Sequence, residues 1–386
     1  MTAHVLVAPD KFKGSLTAAQ VAEGVAEGIR AERPDWAITE LPVADGGDGT
    51  VAAAIAAGWA KTTVDTTGPT GQPIRADYAM RGTTAVVELA SSVGLDRLPD
   101  RAFDPLGATT FGLGTVIRSA LDHGARDIVV GLGGSASTDG GAGLLQALGV
   151  EILDSAGRPL PTGGAALVDA SRLDLTGLHP AARQAQFLVA CDVDNPLLGT
   201  KGATAVYAPQ KGARSADLVV LEAAMQRWAA VVAAGTGHDY ADTPGAGAAG
   251  GTAFGLMSVL GAQPRAGIDL VLELVDFESH LRGVDLVITG EGCLDEQSLH
   301  GKAPVGVASV ARRNGIAVAA VTGRNLLSTN VLRASGIQAA YALTDIEPDP
   351  AVCMTNAAAL LSQLGRRIVG DLDALDRTDT RQGVPQ

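Results

Sequence analysis

The residues with the means to do chemistry sit in seven short loops. These are APDKFKGS (8–15), ADGGDGT (44–50), GLGGSASTDGG (131–141), CDVDNP (191–196), APQKGA (208–213), PGAGAAGG (244–251) and TGEGCLDEQSLHGKAP (289–304). Most mix glycine with Asp, Glu, Ser or Lys, and in the fourth Pro takes the place of glycine. Glycine lets a backbone approach a ligand closely and present its N–H groups. The loop carboxylates are Asp10, Asp45, Asp48, Asp139, Asp192, Asp194, Glu291 and Asp295, and the loop lysines are Lys11, Lys13, Lys211 and Lys302. This inventory suits the handling of a phosphorylated anion. Mg²⁺ takes one or two carboxylates plus substrate phosphates. A transferring phosphoryl group needs cationic donors, and a hydroxyl acceptor needs a base within hydrogen-bond reach.

Each residue also has a plainer reading. Asp48 and Asp139 precede helical patterns and suit helix caps. Asp192 and Asp194 suit turn formation before Asn195-Pro196. Lys11 and Lys13 could be solvated. Cys191 and Cys293 read as small buried fillers. One glycine burst is weak evidence, because a tight turn explains it equally well. Several bursts after strands, with polar partners, favour a shared polyanion site.

Other chemistries lack their signatures. The burst at 131–141 has no G-x-x-x-x-G-K-[ST] spacing and no lysine of its own, so positive charge must come from elsewhere in the chain. G-x-S-x-G, H-E-x-x-H and C-x-x-C are absent, and the three cysteines are widely spaced. Of the histidines only His300 falls in a candidate loop.

The elements that must position these loops alternate. HVLVAPD reads as a buried strand. LTAAQVAEGVAEGIRAE reads as a helix opened by a Thr17/Gln20 capping box. WAITELPVAD is a second strand and TVAAAIAAG a second helix. From about 60 to 90, Thr- and Val-rich runs with GPTG and RG turns predict antiparallel hairpins. Further strands and helices follow through QFLVACDVDNP and SADLVVLEAAMQRWAAVVAA, with a hairpin expected at EILDSAGRPL. Strict alternation returns in GIDLVLELVDFESHLRG, VDLVITGEG, APVGVASVARRNG and IAVAAVTGR. A last helix is expected near 351–372, before a frayed tail at 377–386. Both chain ends therefore read as plain βα repeats around a mixed middle. The expectation is an α/β protein: a Rossmann-like parallel-sheet domain from 1–65 and 265–386, with a mixed α/β domain inserted at 66–264.

A chain of 386 residues with 46% hydrophobic residues supports two such cores. Its net charge of −13 disfavours nucleic acid and anionic membranes as partners. The N-terminus lacks a basic leader, and the longest apolar candidate, LVVLEAAMQRWAAVVAAG, carries Glu222 and Arg227. A cytoplasmic protein is expected.

Taken in order, the seven loops resemble the bacterial glycerate kinase family, of the type with two α/β domains, from about His4 to Leu375. The resemblance implies transfer of the ATP γ-phosphate to D-glycerate with Mg²⁺, giving 2-phosphoglycerate. It leaves two other readings open: a kinase for another small hydroxy acid or sugar acid, and a non-catalytic phosphometabolite-binding protein. A homodimer is compatible with it. This chain has Lys11 where the family often has Ser, Ser137-Thr138 within GGSASTDGG, and Cys293-Leu294-Asp295 after GEG. On this reading phosphoryl transfer occurs in a cleft between the domains. Asp192 is the expected base, with Asp45 second, and Lys13 and Lys302 neutralise charge. Glu291 and Asp295 would hold Mg²⁺, directly or through water. Gly133, Gly134, Ser135, Ser137, Asp139, Lys211 and Gly290 form the expected nucleotide and phosphate cradle.

Overall fold

The computed structural model describes residues 3–299 and 301–382. The chain divides into two compact units, 1–45 with 271–386, and 46–270.

In the terminal unit, five parallel strands lie in the spatial order Ala339–Ala342, Ala317–Asn325, Leu286–Leu294, His4–Pro9, Ala37–Glu40. The central strands are continuous apolar runs because both of their faces are covered. Val5, Leu6, Val7 and Ala8 are fully buried, as are Val287 and Ile288. The order reverses between His4–Pro9 and Leu286–Leu294, which pair in register from Val5↔Leu286 to Pro9↔Gly290. A crevice opens at the carboxyl ends of strands at such a switch point, and ligands settle there.

Helix Ala18–Glu32 begins with the expected capping box: Thr17 Oγ1 accepts from the Gln20 N–H, and Gln20 Oε1 accepts from the Thr17 N–H. This helix packs on the final one, Ala357–Gln382, at a crossing that requires glycine. A Cβ at Gly28 would fall 2.0 Å from the Ser362 carbonyl oxygen. The segment expected as one helix near 351–372 is two, Pro350–Thr355 and Ala357–Gln382. The second takes in part of the tail expected to fray, and 383–386 lie outside the described residues.

The inserted unit holds a six-stranded sheet in the order Gln263–Arg265, Gln186–Ala190, Asp127–Gly131, Thr84–Glu88, Pro73–Arg81, Ala60–Thr67. The first four strands are parallel, and the last three form the antiparallel hairpins expected from 60–90. The first junction falls after Asp45, earlier than the expected 65. Pairing explains the difference. Strand Ala60–Thr67 runs against 73–81 along its whole length, and helix Thr50–Ala56 is tied to the same sheet by Glu88, whose Oε2 accepts the Gly49 and Val51 N–H groups. The second junction falls after Leu270, within helix Gly267–Leu274.

The EILDSAGRPL hairpin forms only in part. Asp154 closes the turn, but Glu151–Leu153 pairs chiefly with Arg172–Asp174. The expected helix GIDLVLELVDFESHLRG breaks into Gly267–Leu274 and Phe277–His280 at Asp276, whose φ is 52°. Helix Ser215–Thr236 is long and apolar enough to cross a membrane by length and composition. Its Leu221, Met225, Trp228 and Val232 are buried in the core of this unit.

Candidate active site

At the switch point of the terminal unit a cavity of about 540 Å³ opens. Its lining includes Asp10, Lys11, Lys13, Asp45, Glu291 and Lys302, with Arg324 from the end of strand Ala317–Asn325. The strand ends explain the gathering. Asp10 directly follows His4–Pro9 and is held to the neighbouring strand by its N–H, which donates to the Gly290 carbonyl at 2.8 Å. Glu291 lies one residue further along that neighbour. Both carboxylates are buried, at 7% and 8% exposure.

Burial shapes their titration, because it penalises the charged form. It pushes Asp10 up to about 7, with Asp45 and Glu291 adding to the rise and Lys11 opposing it. Burial also raises Glu291; the Ser298 hydroxyl and then the nearby Lys302 oppose that rise, and the charge of Asp295 reinforces it. Lys302 Nζ lies 3.2 Å from Glu291 Oε2, while Glu291 Oε1 has no hydrogen-bond partner among the described residues. Asp295 does not line the cavity. Its Oδ1 accepts the Gln297 and Ser298 N–H groups and shapes the turn at 296–299.

In the inserted unit, glycines bring together four loops at the carboxyl ends of the parallel strands. A Cβ at Gly46 would lie 2.4 Å from Gly267 Cα and 2.9 Å from Ala190 Cβ, and one at Gly133 would lie 2.8 Å from Gly47 Cα. The loop at 131–138 is braced from below. Lys211 is 2% exposed, and its Nζ donates to Ser135 Oγ at 2.7 Å and to the Ser137 carbonyl. Burial lowers the Lys211 ammonium to about 7, opposed by the charge of Asp139. Asp139 is wholly buried and accepts N–H groups from Thr110, Gly141 and Gly143 and the Thr110 hydroxyl. Burial raises its carboxyl, and these hydrogen bonds oppose the rise.

Of the expected site residues, the structure gathers Lys13, Asp45, Lys302 and Glu291 in one cavity. Gly290 lies within the sheet, where a Cβ would fall 2.2 Å from the Val321 carbonyl oxygen. Gly133, Gly134, Ser135 and Ser137 form the loop of the inserted unit. Asp139 anchors the starts of two helices and Lys211 braces the loop from beneath. Asp192, the expected base, is at the surface of the inserted unit, and its Oδ1 accepts the Gly267 N–H at 2.8 Å. His300 lies outside the described residues. The sequence reading gave no role to Arg324, Glu88 or Met354. Arg324 and Met354 line the cavity only because strands far apart in the chain end side by side, which no local pattern reveals.

A crevice of mixed charge at an α/β switch point is the arrangement of a phosphate-handling enzyme. The glycerate kinase family model matches residues 5–373. A glycerate kinase of Bacillus subtilis (strain 168) is 44% identical over 88% of this chain and 90% of its own length. A glycerate 2-kinase of Escherichia coli (strain K12) is 41% identical over the same shares. The crystal structure of a provisionally named glycerate kinase 2 from Salmonella typhimurium LT2 superposes with a TM-score of 0.85 at 38% identity, covering 98% of this chain and all of that one. The chain belongs to the glycerate kinase family.

Proposed function

We propose that this chain transfers the γ-phosphoryl group of ATP to a hydroxyl of D-glycerate, releasing ADP and 2-phosphoglycerate. The observation that carries this reading is the cavity of the terminal unit, where buried carboxylates meet Lys13, Lys302 and Arg324. Phosphoryl transfer relies on positioning and on charge placed where the transferring oxygens lie. Lys13 and Lys302 supply that charge, to the transferring group or to the glycerate carboxylate.

Asp10 is the base in this proposal, displacing Asp192 and Asp45. It stands in the cavity, and a carboxyl poised at about 7 is matched to proton transfer near neutral pH. Asp45 lines the same cavity and helps hold Asp10 at that value.

The donor set fits Mg²⁺, which accepts a few carboxylate oxygens and keeps waters and substrate phosphates as its other ligands. Glu291, with an oxygen unpartnered among the described residues, would hold it, while Asp295, expected as a second ligand, is engaged in the 296–299 turn and does not line the cavity. When bound, the ion offsets phosphate charge. The loop at Gly133–Ser137 offers backbone N–H groups to an anion in the inserted unit. The net charge of −13 argues against nucleic acid and anionic membranes as partners. A cytoplasmic setting would supply the ATP that this reaction uses.

NMR of the product formed from ATP and D-glycerate tests the proposal. It predicts glycerate-dependent ADP release and phosphate on the 2-oxygen. Phosphate on the 3-oxygen would correct the position, and no glycerate-dependent release would end the reading.

A further inference from the structure

The cavity of the terminal unit is lined by two chemically different sets of residues. The charged set is described above. The other, an apolar wall, is built by Leu343, Pro350, Cys353, Met354 and Ala357, from the turn after strand Ala339–Ala342 and the two helices that follow. Leu343, Cys353 and Ala357 are buried, while Met354 is 52% exposed at the rim. Glycerate carries a carboxylate and two hydroxyls and has no apolar part to set against such a wall. A cavity of about 540 Å³ is also far larger than that small molecule needs.

We propose that this apolar wall seats the purine of a nucleoside triphosphate, with the triphosphate running toward Lys13, Glu291 and Lys302. The inference rests on the kinase reading and adds to it where in the molecule the nucleotide base lies. A planar aromatic ring gains from the apolar surface and from the polarisable thioether of Met354. The two sets are joined by direct contacts. Ser15 Oγ donates to the Met354 carbonyl at 2.6 Å, so the loop that carries Lys13 is fastened to the helix that carries Met354. Gly14 lies against the same residue, since a Cβ there would fall 3.4 Å from Met354 Cε. On its other side this loop backs onto Gly292, beside Glu291.

The test uses the full chain and the variants Met354→Ser and Met354→Leu, with two probes: a non-hydrolysable ATP analogue and inorganic tripolyphosphate. Met354 is half exposed, so its loss costs little folding stability, which melting curves check. Met354→Ser is expected to weaken the ATP analogue about fivefold and leave tripolyphosphate unchanged. Met354→Leu is expected to restore most of the affinity. In turnover, KM for ATP rises in Met354→Ser while KM for glycerate stays put. The proposal is overturned if the analogue binds Met354→Ser as tightly as the parent, if both probes weaken equally, or if KM for glycerate rises instead. Base-dependent binding without glycerate-dependent turnover would leave the purine seat standing and remove the kinase reading, so the two fail separately.

Discussion

The carboxyl ends of the parallel strands do different things in the two units. In the terminal unit, charge sits on side chains that face a cavity: Asp10, Lys13, Asp45, Glu291 and Lys302. In the inserted unit, the charges that hold the 131–138 loop are hidden. Asp139 and Lys211 are buried beneath the 131–138 loop and hold it from behind, and what the loop exposes is the backbone at Gly133 and Gly134, its serine hydroxyls being buried. One topological position thus serves two purposes. The first can donate, accept and titrate. The second presents a fixed set of dipoles whose shape depends on buried braces. Burial is costly for a lone ammonium, and the lowered Lys211 pKa reflects that cost.

The contrast predicts where substitutions cost activity and where they cost stability. Apart from the proposed base, the largest effect is expected from Lys302→Ala. Removing a cation from the reacting end should lower kcat/KM about 10²–10³-fold with little change in Tm. Unchanged steady-state kinetics would break the assignment of chemistry to the cavity.

Lys211→Met should act on stability in a pH-dependent way. Between about 7 and the ordinary lysine value, the unfolded chain binds a proton at this site and the folded chain does not. Stability therefore rises with pH through that window in the parent and not in the variant. Melting curves from pH 7 to pH 10 should show the parent gaining on Lys211→Met. Parallel curves would mean that the ammonium is not held neutral.

The smallest effect is expected from Asp192→Asn. The amide oxygen can still accept the Gly267 N–H. The loss of charge assistance, about 1 kcal/mol, limits the fall in kcat/KM to about fivefold. A drop of several hundredfold would return the base to the inserted unit.

The sequence exposed the loops better than their roles. Alternating apolar runs marked the parallel strands, Thr17 and Gln20 marked the start of the first helix, and Thr-rich runs marked the hairpins. These signals are local, so they survive into the fold. The junction at Asp45 was not legible, because helix Thr50–Ala56 reads like any βα continuation until Glu88, far along the chain, fastens it to the other sheet. Nor could the sequence separate Asp10 from Asp192. Both stand just after a strand, at the start of a loop. Only the strand order puts one in a buried crevice and the other at a surface, fastened to Gly267. Lys211 is a related case. A lysine in a Gly-Pro loop looks ready for phosphate, and its burial behind Ser135 and Ser137 depends on packing against a distant loop.

The central claim is that the cavity of the terminal unit performs the proton and phosphoryl chemistry with Asp10 as base. Kinetics of Asp10→Asn with ATP and D-glycerate across pH 5–9 test it most directly. In the parent, kcat/KM should rise with pH as Asp10 loses its proton near 7, then level off. In Asp10→Asn, kcat/KM should fall about 10²–10⁴-fold and lose that rise, with the melting temperature preserved. Near-normal turnover with the parent's pH profile would contradict the account.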